Sequence, residues 1–169
     1  MRMKHFIILL IMTICLVSCG RNLWEAKRII KKYDREYTEI DRLIRIDGYY
    51  YKEDSIGLNW PFMLTDNGKF RLFRARFDSH SRIQESFIEN KYLEKGSYSL
   101  SGDTIKIRWA FRYDLGAYEI FSAQYLIVNN TTLRQIWYLC ETCFTYDGKV
   151  HDPNRNEIFN FYEFHVDVK

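Results

Sequence analysis

Two prolines and four cysteines are all that the 169 residues contain of either type, and several longer patterns are missing altogether. No apolar run reaches the roughly 20 residues that a helix needs to cross a membrane. No block of like charges accompanies the formal charge of +3, so the electrostatic footprint of a nucleic-acid partner is absent. There is no glycine-rich phosphate loop and no dinucleotide fingerprint. Serines and aspartates are scattered without the glycine pattern of a nucleophile elbow. His80, His151 and His165 lack metal-ligand spacing, and acids such as Asp152 and Glu157 have no sequence relation that would place them in one cleft. With no repeat, low-complexity tract or second domain visible, the expectation is a single domain that is not an enzyme and needs no metal or organic cofactor.

What is present begins at the N-terminus. Arg2 and Lys4 precede an apolar run from Phe6 to Val17, followed by the small Ser18 and then Cys19. A positive start and a short apolar stretch mark a secretory signal. The segment Leu16-Val17-Ser18-Cys19 resembles the lipobox of bacterial lipoproteins. That resemblance implies cleavage after Ser18 and acylation of Cys19, with residues 1–18 as the signal peptide. Several acyl chains on one residue would hold the protein stably, where a single chain is marginal. Gly20, Arg21 and Asn22 follow, with no Asp directly after the cysteine. By resemblance to lipoprotein sorting this implies an outer-membrane lipoprotein facing the periplasm. Loss of Arg2 and Lys4 with no acid lowers the net charge of the mature chain.

Residues 19–46 are expected to form the lipidated cysteine and a helical spacer. Leu23, Ala26, Ile30, Tyr33, Tyr37, Ile40 and Ile44 alternate in steps of three and four, which places them on one helical stripe that can lie on the following domain. After Asp47-Gly48 the texture changes to period two, and residues 47–169 read as a β domain. Aromatic residues make up 17% of the chain, a load that favours strands over a helical bundle.

The hairpin signals are local. Trp60–Thr65 and Lys69–Phe77 flank Asp66-Asn67-Gly68, whose Asn-Gly pair supplies the positive φ angles of a tight turn. In the second arm Phe70, Leu72 and Arg74 share one face while Arg71, Phe73, Ala75 and Phe77 share the other, an imperfect alternation that a bulge or burial on both sides would accommodate. A short helix is expected near Arg82–Asn90. The next hairpin joins Gly96–Leu100 to Thr104–Phe111 through Ser101-Gly102-Asp103, with Ile105, Ile107, Trp109 and Phe111 facing one way. A third joins Tyr118–Val128 to Thr132–Leu139, a polar loop runs from about Glu141 to Asn156, and Ile158–Val166 is a last strand. The fold class is therefore mainly β: an antiparallel, lipocalin-like barrel or a sandwich of about eight strands, with one N-terminal helix.

Asp47-Gly48-Tyr49-Tyr50-Tyr51, Asp66-Asn67-Gly68 and the series Gly96, Tyr98, Leu100, Gly102-Asp103-Thr104-Ile105, Ile107 resemble small lipoproteins of Bacteroides-type bacteria with a lipocalin-like barrel. The resemblance covers roughly residues 47–139. It implies the fold and the compartment, and carries no assigned activity.

Cys15 leaves with the signal and Cys19 is consumed by lipid, so Cys140 and Cys143 remain, spaced C-x-x-C in a compartment where a disulfide is allowed. A structural disulfide, a metal role and redox work are the readings of this pair. No second ligand pair supports zinc, and no helix follows to lower a thiol pKa. For function, the expectation is binding: a small apolar or sugar-like ligand in the barrel, lined by Trp60, Trp109, Phe111, Tyr118 and Trp137, or an envelope protein on its surface. The aromatic load favours a filled barrel and so a protein partner. A periplasmic inhibitor or immunity-type protein, or a thiol-dependent enzyme, are the alternatives.

Overall fold

Thr65 organises the first hairpin of the structure, a computed structural model that describes residues 7, 23–29, 40–52, 60–73, 80–89, 93–112, 118–142, 151–152 and 156–164. Its hydroxyl donates to Asn67 Oδ1 at 2.6 Å and accepts from the Lys69 N–H at 3.2 Å. Gly68, at φ 75°, takes the left-handed conformation that a side chain would oppose. Strands β2 (Phe62–Leu64) and β3 (Lys69–Phe73) leave this turn antiparallel as the expected hairpin, with Leu64 opposite Phe70. Gly102, at φ 62°, does the same for β4 (Leu93–Ser101) and β5 (Thr104–Arg112).

The two hairpins are stitched together by residues of the G-x-Y motif. The Tyr98 N–H donates to Gly68 O at 3.0 Å and its hydroxyl donates to Thr65 O. Gly96 has no room for a side chain: a Cβ there would lie 2.6 Å from Trp109 Cβ on the neighbouring strand.

Strands β6 (Tyr118–Asn129) and β7 (Thr132–Cys140) continue the meander, and β1 (Gly48–Tyr51) pairs with β2 on the other side. Chain order alone does not close the sheet. Closure comes from β9 (Glu157–Glu163), which pairs antiparallel with β1 through Gly48–Tyr51 and with β7 through Thr132–Gln135. The result is a closed antiparallel barrel in the order β1-β2-β3-β4-β5-β6-β7-β9. Of the expected barrel or sandwich, the barrel is what forms, and closure leaves these strands without an open edge. A short extra strand, β8 (His151–Asp152), lies within the expected polar loop and pairs with Tyr138 and Leu139 of β7.

Phe62 sits at the centre of the interior. Its ring lies 5.6 Å from Tyr50, 5.4 Å from Phe70, 5.2 Å from Tyr125 and 5.4 Å from Phe159. These residues come from β1, β3, β6 and β9, so one side chain bridges the lumen in four directions. Trp109 stacks on Phe121 at 5.3 Å and meets Phe70 at 5.5 Å. Separations in this range are those of favourable offset and tilted ring pairs.

Helix α3 (His80–Ile88) covers part of the outside. Ile83 packs with Tyr49 and Phe73, both fully buried although they point away from the lumen. That resolves the imperfect alternation of β3: burial is on both sides because a helix covers the outer one. Arg74, Ala75 and Phe77 lie outside the described residues.

The N-terminal helix is found in two described pieces, residues 23–29 (α1) and α2 (Ile40–Leu43). Ala26, Ile40 and Ile44 of the expected stripe are buried, and Ile30, Tyr33 and Tyr37 lie outside the described residues. Leu23 departs from the expectation: it is exposed, while Ile29 is buried in the same turn set. In α1 the buried side therefore takes Ile29 with Ala26 and leaves Leu23 out, while Ile40 and Ile44 are buried as the stripe predicts. After Leu43 the chain is no longer helical; the Arg45 N–H donates to Asn130 O in the β6–β7 turn at 2.8 Å. Among the described residues, no helix is long and apolar enough to cross a membrane.

Candidate binding groove on the outer wall

Strand alternation divides β4, β5 and β6 cleanly. On β5, Ile105, Ile107, Trp109 and Phe111 enter the core while Lys106 and Arg108 point out. Registers then align their outward neighbours in rows across the wall: Ser97 opposite Arg108 opposite Ser122, and Ser99 opposite Lys106 opposite Gln124. The second row ends on Trp137 of β7, which pairs with Gln124.

Trp137 is on this side because of one extra residue. Gln124 pairs with Trp137 but the next residue, Tyr125, pairs with Gln135, so Ile136 is the unmatched residue of a β-bulge. Such an insertion shifts the side-chain parity of everything beyond it. Leu133 and Gln135 are buried on the lumen side before the bulge, and Cys140 and Tyr138 join the core after it. Trp137 is thereby turned outward. Together these rows line a groove of about 290 Å³ whose walls include Ser97, Ser99, Lys106, Ser122, Gln124 and Trp137.

One end of the groove is held by Arg108. Its Nε donates to Glu141 Oε1 at 2.8 Å and its Nη2 donates to Glu141 Oε2, so the pair is bidentate. The same Nη2 reaches Glu25 Oε1 of α1 at 2.8 Å. Ser122 Oγ donates to Glu141 as well. Backbone bonds fix Glu141 beside β6: its N–H donates to Ile120 O at 2.7 Å, and Thr142 Oγ1 accepts from the Ile120 N–H at 2.9 Å. Hydrogen bonding to Glu141, opposed by partial burial and aided by Glu25, raises the Arg108 pKa above its ordinary value. The guanidinium is permanently charged and acts as a structural clamp.

The five aromatic residues expected to line a ligand site do not converge. Trp109 and Phe111 are buried in the core, and half-buried Trp60 packs against it. Tyr118, opposite Arg112 at the start of β6, falls on the outer face by alternation, as does Trp137. Sequence reasoning missed Ser97, Ser99, Lys106, Ser122 and Gln124. The polar side of the β5 alternation pointed to Lys106 and Arg108; the partners needed the register. Within the lumen, the Gln135 amide donates to Tyr125 Oη at 2.9 Å, whereas Trp109 Nε1 meets no hydrogen-bond partner among the described residues.

Cys140 is buried and disulfide-bonded, a state with no thiolate to act as nucleophile. Cys143 and Cys19 lie outside the described residues. His80 is a hydrogen-bonded member of the outer aromatic cluster, 2.8 Å from Tyr49 Oη and 4.4 Å ring to ring from Tyr162. No group of three metal-ligating side chains occurs among the described residues. No protein-family model, curated protein or solved structure matches the chain.

Proposed function

We propose that this chain is a lipid-anchored, non-catalytic binding protein of the bacterial envelope, and that its ligand is sugar-like and is taken on the outer wall. The anchor rests on the lipobox ending at Cys19 and on the resemblance to Bacteroides-type lipoproteins with a barrel core. The compartment that follows is the periplasmic side of the outer membrane, where a disulfide at Cys140 is stable.

The single observation that carries the binding site is the groove at Lys106, Gln124 and Trp137. An indole offers a flat apolar surface to the C–H face of a sugar ring, and hydroxyls, an amide and an ammonium satisfy ring hydroxyls around it. A ligand pocket with few well-placed polar groups beside an aromatic surface is the usual arrangement for small-molecule recognition. Arg108 is already matched by two carboxylates, so Lys106 is the cation that selects charge. Its presence favours acidic sugars over neutral ones. The lumen suits a ligand less well, because aromatic rings from four strands meet across it at Phe62.

Titration of tryptophan fluorescence with galacturonate oligomers and with neutral gluco-oligomers tests this directly. The acidic series is expected to bind more tightly, and Trp137→Ala to lose binding of both. Equal, unaltered binding in Trp137→Ala would reject the groove. Native mass spectrometry of protein taken from the periplasm adds the natural ligand: an extra mass retained in Trp137→Ala but lost on altering Trp109 would move the site to the lumen.

A further inference from the structure

Helix α1 has two unlike sides. Glu25 reaches Arg108 on the barrel wall, and Ala26 and Ile29, which follow on that side at helical spacing, are 0% and 4% exposed. Leu23, Trp24, Lys27 and Arg28 occupy the other side. All four are exposed, Trp24 to 65%. A tryptophan left this far in water is unusual for a soluble surface, because its large apolar area gains most from being covered. Arg28 braces it, with the guanidinium carbon 5.5 Å from the indole centre.

We infer that this face of α1 rests on the membrane: Trp24 and Leu23 enter the headgroup layer and Lys27 and Arg28 meet its anionic lipids. The inference rests on the proposed acylation of Cys19. Three features select a bilayer as the partner of this face. First, Trp24 stands five residues from Cys19, a contour of at most about 18 Å for an extended chain. An acylated Cys19 therefore keeps Trp24 close to the lipid surface. Second, tryptophan is the side chain enriched at the membrane–water boundary, where its ring lies in the headgroup region. Third, the flanking charges are both positive, the sign that anionic headgroups attract.

The Glu25–Arg108 clamp gives this contact a consequence. Because α1 is tied to the outer face of β5 within a few residues of the anchor, the barrel is held at the membrane in a set orientation. The segment expected to be a spacer starts as a mount. The docked face and the lipid face belong to one turn set of one helix, so the groove at Lys106 and Trp137 has a fixed relation to the bilayer.

The test uses the full-length protein purified with its acyl chains and reconstituted in vesicles of phosphatidylethanolamine and phosphatidylglycerol carrying phospholipid brominated near the headgroup. The intact mass is read first. Absence of acyl chains on Cys19 would overturn the anchor reading and this inference with it. With the chains present, the wild type is expected to lose part of its tryptophan emission to bromine. Trp24→Ala is expected to lose that quenching entirely while keeping the unfolding midpoint of the wild type, since the site is exposed. Quenching that is unchanged in Trp24→Ala, or absent from the acylated wild type, would overturn the membrane contact while leaving the anchor in place. Photo-crosslinking from position 24 to a protein in cells, in place of lipid, would assign this face to a protein partner and reject the bilayer.

Discussion

The same strands make two different surfaces. On the lumen side of β5, Ile105, Ile107 and Trp109 are within a few per cent of full burial, and rings from four strands close on Phe62. On the outer side, one residue away along the same backbone, Lys106 and Arg108 stand among serines and an amide. Packing specifies the inner surface, where volume and ring geometry leave little freedom. The outer surface is free of that demand, and its rows are polar where the strand faces water. Outer does not mean open everywhere: under α3, Tyr49 and Phe73 are as buried as any lumen residue. The groove side differs because α1 reaches it at the Arg108 end through Glu25, and because Ile136 turns Trp137 outward. A residue inserted into one strand decides which surface owns an indole.

The largest expected effect lies in the lumen. Phe62→Ala removes a ring in contact with four others and should lower unfolding free energy by about 3–5 kcal/mol, read by urea denaturation. A loss below about 2 kcal/mol would mean that the interior collapses easily or is already loosely filled, and the contrast between the two surfaces would weaken.

Next comes the clamp at the end of the groove. Arg108→Met leaves Glu25 and Glu141 without their shared cation and should cost about 1–3 kcal/mol. Within the clamp the two acids are unequal. Glu141 accepts two bonds from Arg108 and one from Ser122, whereas Glu25 accepts one. Glu141→Gln is therefore expected to destabilise more than Glu25→Gln. Glu25→Gln should instead show itself as faster proteolysis within residues 23–29 with little change in the global midpoint. Equal global losses from both would make α1 part of the barrel's cooperative unit.

These long-range contacts mark the limit of what the sequence discloses. Asn67-Gly68 and Gly102-Asp103 announce their turns because the backbone conformation each needs is a local property. The lumen face of β5 is equally local, since alternation within one strand is enough to reveal it. Closure of the barrel is not local: β9 must find β1 more than a hundred residues away, and nothing in either strand names the other. Alternation and turns alone therefore fit a sandwich as well as a barrel. β8 is two residues long and carries no pattern. The bulge at Ile136 is invisible without the register of β6 against β7, so Trp137 could not be assigned a side. The groove inherits that limit, being assembled from four strands, and Arg108 meets Glu141 across 33 residues and Glu25 across 83.

A smaller effect compares buried phenols on the two sides of β1. Burial pushes the Tyr49 hydroxyl up to about 12 from an ordinary 10.0, against the opposing hydrogen bond to Gln84 and with a small push from Tyr51. Burial raises Tyr50 as well, with Asp47 adding to it. A raised folded pKa means that the neutral phenol is favoured in the native state. The stabilisation is whole below about pH 10, where both states are protonated, and drains as the pH climbs from about 10 to 12 because the unfolded chain ionises first. Stability should hold steady up to about pH 10 and then fall. Tyr49→Phe should flatten part of that fall without abolishing it, because Tyr50 remains on the lumen side. An ultraviolet titration in which the folded protein ionises all its tyrosines near pH 10 would contradict this.

The smallest expected change in stability is the one that most sharply separates the two surfaces. Trp137 and Trp109 are the same residue type, on adjacent parts of one barrel, on opposite sides of the wall. Trp109→Ala should cost about 3–5 kcal/mol, as truncation of a buried tryptophan does. Trp137 is only half-buried, and its ring borders a groove that solvent can fill, so Trp137→Ala should lower the unfolding free energy much less, by about 1 kcal/mol or under. Binding should respond in the reverse order: Trp137→Ala abolishes acidic-oligosaccharide binding, and Lys106→Gln removes the preference for acidic over neutral sugars while leaving the fold intact. Were Trp137→Ala to destabilise as strongly as Trp109→Ala, the outward indole would be structural. Its place at the end of the Ser99, Lys106 and Gln124 row would then be a consequence of packing around the bulge rather than of ligand recognition.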